Sequence, residues 1–261
     1  MTSSENLLKK LGTPSDPIAV IDGDLLLYRA AAAAEEETDW GDDVWSLSTD
    51  LKVAKDIFEY QLEQITKEID VTKYIVALSG RQNFRTTIVD PTYKASRKKS
   101  RKPVGYSAFV DWCREAHDTY THPLLEADDV IGIMGTIESP APVIMVSDDK
   151  DLLGCYGHLY RPQSGERLTI TKAQADRHHL LQTLTGDATD GYGGCPKVGP
   201  KTAEKILGSH PTWNAVVAAY QKAGLSADYA LTQARLARIL RITEWNSESE
   251  GIRLWTPQTN D

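Results

Sequence analysis

Eight acidic side chains are the residues of this sequence best able to do chemistry together. Asp22 closes the apolar run Ile18-Ala19-Val20-Ile21. Glu126, Asp128 and Asp129 open a helical stretch in LLEADDVIG. Asp149 and Asp151 follow the apolar run ending at Val146 in MVSDDKDLL, and Asp187 and Asp190 lie in the glycine-rich LTGDATDGYGG. Each alone has an ordinary explanation as a solvated strand end, a helix cap favoured by the dipole or a turn residue. Together they do not. If the fold gathers them, bare carboxylates repel one another by several kcal/mol and some stay protonated. Divalent cations remove that conflict. Oxygen-only donors suit Mg²⁺ or Mn²⁺ rather than zinc, and more acids than one ion needs imply two ions. The eight charges match the whole formal net charge of −8, so the rest of the chain is balanced. The neighbouring Asp24 and Asp148 read as a helix cap and a solvated companion. Were residues 126–129 all helical, Glu126 and Asp129 would share a face; a helix beginning near Asp128 lets Glu126 and Asp128 both turn inward.

Elements that deliver acids to one place must be strands ending at a common edge. Residues 17–21, 73–78, 119–121 and 142–146 read as short buried strands, and 44–48 as an edge strand. Helical patterns lie between them: 25–36 with Asp24 as cap, a helix capped by Asp50, 104–117, and one after residue 126. Alternation of this kind predicts an α/β fold with a central, mostly parallel sheet flanked by helices, and such sheets bind ligands beyond the carboxyl ends of their strands. After Thr171 the patterns are helical, at 171–184, 201–207, 211–222 and 227–241, and the last residues read as a loose tail. The expected division is an α/β core over 1–170, including a basic segment at 81–105, and a helical unit over 171–261 with a hairpin at 191–207.

That basic segment opposes the overall charge. From Arg81 to Lys102 there are eight Lys or Arg and one acid, Asp90. A local excess of this size points to a polyanion more strongly than the net charge argues against one. Three cysteines without a CxxC pair, Cys113, Cys155 and Cys195, read as reduced thiols. No apolar run reaches the roughly 18 residues of a membrane span, and the N-terminus lacks the apolar core of a secretory signal. A cytoplasmic protein, working as a monomer without a membrane partner, is the expectation.

The stretches AVIDGDLLLYRA, NFRTTIVDPTYKASR, LLEADDVIG, MVSDDKDLL and LTGDATDGYGGCPKVGPKTAEKIL, in this order over residues 18–207, resemble the flap endonuclease and 5′-3′ exonuclease family, of phage exonuclease and bacterial polymerase-associated 5′-nuclease type. The resemblance implies a 5′-nuclease, PIN-like sheet with a basic arch and a helix–hairpin–helix subdomain. It implies two Mg²⁺ or Mn²⁺ ions, the first held by Asp22, Glu126, Asp128 and Asp149, the second by Asp151, Asp187 and Asp190 with Asp129 near the boundary. Lys94 and Arg97 match catalytic cations that approach the scissile phosphate, where preorganised positive charge is needed. Arg85 reads as a further phosphate clamp. Lys98 and Lys99 supply diffuse attraction to DNA, Arg29 is a further DNA-binding residue, and Tyr28 sits where an aromatic stacks on a base. In the hairpin, Lys197 and Lys201 face DNA, and the carbonyls of Cys195 and Val198 match a potassium site. One departure stands out: Ser79-Gly80 occupy the place where the family usually carries an aspartate.

The implied activity is two-metal-ion hydrolysis of DNA phosphodiesters at 5′ ends, flaps and nicked or gapped duplex, with RNA–DNA hybrid as a further substrate, in replication or primer removal. Two alternatives remain. The missing acid is compatible with a non-catalytic binder of DNA junctions. IDGD with a downstream GDATD imitates the haloacid-dehalogenase-like phosphatases, although Leu26 stands where those carry Thr or Ser.

Overall fold

The computed structural model describes residues 6–95 and 101–257. The expected catalytic cation Arg97 and the expected DNA contacts Lys98 and Lys99 lie outside the described residues. At the centre is β1 (Ile18–Asp22), a run of small and β-branched apolar residues buried on both faces. Such a strand fits only the middle of a sheet covered on both sides. It pairs in parallel with β4 (Lys73–Leu78) on one side and with β6 (Val143–Val146) on the other. Outward from β4 lies β5 (Thr119–Thr121). Outward from β6 lie β7 (Gly157–Arg161), also parallel, and β8 (Glu166–Ile170), antiparallel. The strand order β5-β4-β1-β6-β7-β8 makes the chain wind one way from β1 and then the other. The β1/β6 boundary is therefore a topological switch point, and a crevice opens beyond its carboxyl ends.

One face of the sheet is covered by α2 (Gly23–Ala33), α3 (Leu51–Glu68) and α4 (Tyr106–Ala116), whose Leu27, Phe58 and Phe109 pack on Ile21, Val76 and Leu78. The other is covered by α5 (Ala127–Gly135) and the short α1 (Leu7–Leu11), which bury Leu7, Val130, Ile131 and Met134 against Val20, Ile75 and Met145. A third cluster, around Leu184, Val216 and Tyr220, joins α6 (Lys172–Thr185), α7 (Pro200–Leu207), α8 (Trp213–Lys222) and α9 (Ala227–Ala237) into the helical unit. Among the described residues no helix is long and apolar enough to cross a membrane.

Three local expectations are corrected. Asp22, not Asp24, caps α2: its side chain accepts from the Leu25 amide at 3.0 Å, and the helix stops at Ala33. The segment read as an edge strand does not join the main sheet. It forms β3 (Trp45–Thr49), which pairs with β2 (Glu35–Asp39) in a separate two-stranded hairpin. The last long helix ends at Ala237 instead of Arg241, because Leu240 donates its amide to Asp129 at 3.1 Å. From there the chain returns to the sheet. Ile239, Leu240 and Trp245 belong to the α5-side cluster, and β9 (Trp245–Asn246) pairs with β10 (Gly251–Ile252). Residues 239–252 therefore pack with the α/β core, although the sequence assigns them to the helical unit.

Candidate active site

Three strands of the main sheet lead to acids beyond their carboxyl ends. β1 ends on Asp22. β6 runs through Ser147 to Asp149. β5 leads through a short loop to Glu126, the N-cap of α5, with Asp128 in that helix's first turn. A hollow of about 310 Å³ lies between them, lined by Asp22, Asp24, Glu126, Asp128 and Asp149 together with Tyr28, Ser79, Lys94 and Tyr106. Ser147 braces it: its hydroxyl donates to Asp22 Oδ2 at 2.7 Å and accepts the Asp149 amide at 3.0 Å. Asp149 Oδ1 in turn accepts the Asp151 amide at 2.9 Å, opening a helical turn over Lys150–Gly154.

The second group of acids continues from the first. Gln182 of α6 donates to Asp151 Oδ1 at 2.5 Å, and Lys150 Nζ lies 2.9 Å from Asp187. Tyr93 donates its hydroxyl to Asp190 at 2.9 Å. Of the acids expected to hold metal, Asp22, Glu126, Asp128 and Asp149 line the hollow; Asp190 is joined to Glu126 through Tyr93 and Lys94, and Asp151 lies where the charges of Asp149, Asp190 and Asp187 reach it.

Asp129 does not join them. With α5 beginning at Ala127, the cap position goes to Glu126 and Asp129 turns into the protein. Fully buried, it binds the guanidinium of Arg85 through both oxygens, at 2.7 and 2.8 Å. Arg85 is fully buried as well. It donates to the carbonyls of Leu236 and Arg238 and touches Glu126 at 3.2 Å, with Phe84 stacked on it. The residue expected to clamp a phosphate instead locks the end of α9 to the start of α5.

Lys94 lies over the crevice. Its ammonium is 2.6 Å from Glu126 Oε1 and 3.6 Å from Asp190. Its backbone is left-handed, φ 55°, and its amide donates to the Asp190 carbonyl at 2.9 Å. A non-glycine residue held in this conformation costs about 1 kcal/mol or more and persists where surrounding contacts impose it. Tyr28 is 46% exposed at the mouth, edge-on to Tyr106. Arg29 is paired with Asp148 at 2.7 Å, so neither is a free group. Lys197 and Lys201 are exposed in the hairpin that precedes and opens α7. Cys195 is buried, and its carbonyl accepts the Val198 amide at 3.1 Å. Tyr93, Ser147 and Lys150 were not singled out from sequence. Ser147 and Lys150 stand beside the DDKD acids, which was the available signal; Tyr93 carried none.

The crowding shows in the proton affinities. Burial, then the charge of neighbouring acids, pushes Asp22 up to about 6. Asp128 is pushed well above the carboxylate range by burial, then by Asp22, Asp149 and Glu126. Asp151 rises to about 6 through burial and then Asp149. Burial would raise Glu126 too, but Arg85 and Lys94 outweigh it and hold the carboxyl low. Among the described residues no three such side chains are already closed around one ion position; ammonium groups stand against Glu126, Asp187 and Asp190. The donor set is nonetheless all oxygen, anionic and electrostatically unfavourable on its own, which fits hard divalent cations.

A pH dependence follows. A raised acid stabilises the fold below its ordinary value of 3.8, and that stability is lost as pH rises through about 6. In EDTA, Asp151→Asn should match the parent melting temperature at pH 4 and exceed it progressively up to about pH 7, where the gain levels off. Thermal melts across that range check this, and a constant offset would count against it.

A family model described as the 5′-3′ exonuclease N-terminal resolvase-like domain matches residues 17–177. The chain is 32% identical to the exodeoxyribonuclease of Enterobacteria phage T3, with 95% of each covered. It is 32% identical to the exonuclease of Escherichia phage T7, over 94% of this chain and 95% of that one. In fold it is similar to the flap endonuclease of bacteriophage T5, solved with DNA and metal ions: TM-score 0.61 at 15% identity, covering 85% of this chain and 88% of that one. A sheet with acids at its switch point, a family model over most of that sheet, and relatives matched almost end to end lead to one conclusion: the chain belongs to the 5′-3′ exonuclease family.

Proposed function

We propose that this chain is a divalent-cation-dependent 5′-nuclease that hydrolyses DNA at 5′ ends, flaps and nicked or gapped duplex. One observation carries the reading: strand-end carboxylates line a single hollow with Lys94 beside them, in a chain of the 5′-3′ exonuclease family. Asp22, Glu126, Asp128 and Asp149 would hold one Mg²⁺ or Mn²⁺, and Asp151, Asp187 and Asp190 a second. Bound there, the cations would neutralise the acids and the scissile phosphate and lower the pKa of water.

The protein's own groups do the rest. Ser147 and Gln182 fix the orientation of Asp22 and Asp151. Lys94, released from Glu126, is positioned to bind the phosphate, where its charge stabilises the transition state more than the ground state. The exposed ring of Tyr28 offers a stacking surface for a terminal base, worth about 1–3 kcal/mol. Lys197 and Lys201 would contact duplex phosphates on the helical side, with K⁺ as a further ligand of the Cys195 and Val198 carbonyls.

Lys94→Ala should slow cleavage by roughly a hundredfold while weakening DNA binding by less than about threefold. Alanine meets the same left-handed backbone as lysine, so the fold is little affected. Single-turnover rates alongside equilibrium binding separate the two, and a loss confined to affinity would reduce Lys94 to steering.

The function itself is tested with labelled 5′-flap, gapped duplex and RNA–DNA hybrid, with Mg²⁺, with Mn²⁺ and with EDTA. Cation-dependent release of 5′-phosphorylated products is expected. Binding without cleavage under both cations would establish the junction-binder instead, and a trapped phosphoaspartate at Asp22 the phosphatase.

A further inference from the structure

We infer that Asp24 is a cation-binding carboxylate of this site, supplying from α2 the acid that the end of β4 lacks. The inference rests on the nuclease reading and deepens it.

The strands meeting at the crevice differ in one respect. β1, β5 and β6 each run into acids that line the hollow, whereas β4 runs into Ser79-Gly80. Position 80 is closed to any side chain. A Cβ there would lie 2.1 Å from the His122 carbonyl oxygen and 2.6 Å from that of Pro123, both backbone atoms. Ser79 does line the hollow, but as a neutral group. Its hydroxyl accepts the Ala127 amide at 3.0 Å, which ties β4 to the start of α5.

Asp24 reaches into that place. It lies in the first turn of α2, and the capping role expected of it belongs to Asp22. Its carboxylate lines the hollow beside Asp22, Glu126, Asp128 and Asp149, and Oδ2 accepts the Ser79 amide at 3.2 Å. An acid in a first helical turn also interacts favourably with the helix dipole. That interaction is available to a solvent-facing carboxylate and does not require the side chain to turn toward four other acids. Contact with the β4 end places negative charge where the strand provides none. A hard cation gains from each further anionic oxygen within reach.

The test is cation binding by the full chain, independent of turnover. Mn²⁺ is titrated and free ion followed by electron paramagnetic resonance. Asp24→Asn, which keeps the size and the acceptor for Ser79, should weaken at least one class of bound Mn²⁺ by about tenfold or more. Asp24→Asn combined with Ser79→Asp should recover most of that affinity, since it moves the charge to the β4 end itself. Asp111→Asn, on the exposed face of α4, should leave the isotherm unchanged. An unaltered isotherm for Asp24→Asn overturns the inference. A loss that Ser79→Asp does not recover also overturns it and leaves Asp24 as a brace for β4. If Asp24→Asn does not fold, a crystal structure of the parent chain with Mn²⁺ decides. The Asp24 carboxylate should contact an ion directly or through one shared water, and an Asp24 without either contact overturns the inference. A parent chain that neither binds Mn²⁺ nor cuts DNA would instead sink the nuclease reading. A parent that does both, beside an unaltered Asp24→Asn, sinks only the role of Asp24.

Discussion

Asp149→Asn should reduce DNA cleavage by roughly a thousandfold or more, equivalent to ~4 kcal/mol of transition-state stabilisation, while changing DNA affinity by less than about threefold. Asp149 joins the two acidic groups. It lines the hollow with Asp22 and Asp128, and its charge is felt by Asp151 in the second group. The substitution is nearly isosteric and retains the oxygen that accepts the Asp151 amide, so the turn after β6 survives. Only the charge goes. In EDTA the variant should melt at or above the parent temperature, because one of several mutually repelling carboxylates has been removed. A gain in stability joined to a loss of activity marks a group kept for function rather than for the fold. Single-turnover cleavage, fluorescence anisotropy and thermal melts check the three parts. Parent-like cutting would remove the central member of the proposed cation site.

Arg85→Met should destabilise the fold by about 3–5 kcal/mol, which for a chain of this size lowers the melting temperature by roughly 10 °C. The guanidinium satisfies both oxygens of Asp129 and the carbonyls of Leu236 and Arg238, all away from water. Removing it strands a buried carboxylate and two carbonyls at once. The double variant Arg85→Met with Asp129→Asn should recover part of the loss, since deleting both charges spares the fold an unpaired ion. Denaturant unfolding measures both. A cost below about 1 kcal/mol for the single variant would mean that water reaches Asp129, contrary to its burial.

That ion pair also shows where reading the sequence reaches its limit. The gathering of Asp22, Glu126, Asp128 and Asp149 around one hollow was legible because each follows a strand of the sheet. The three strands that lead to them, and β4 between two of these, were legible as well, within a residue or two, from apolar runs too short for helices. Asp129 was not separable from Asp128. Their difference depends on which residue caps α5, and a shift of one position turns a crevice-facing acid into a buried one. Arg85 gave no local sign of burial, since what encloses it comes from α9 and the returning segment some 150 positions away. The β2–β3 hairpin was hidden for another reason. Glu35 and Glu36 continue an alanine-rich helical pattern, and the facing strand, with Trp45 and Leu47 exposed, has no buried face to generate alternation. The turn to extended chain after Ala237 follows from the tie to Asp129 and not from helix propensity.

Lys94 is tied twice, by its amide to the Asp190 carbonyl and by its ammonium to Glu126. It also stands at the foot of the basic segment. Glu126 and Asp190 come from distant parts of the chain, so a displacement of Lys94 is felt by both together. In the proposed nuclease, drawing the Lys94 ammonium onto a phosphate would uncover Glu126 and Asp190 in a single step, so that arrival of the substrate would itself ready these acids.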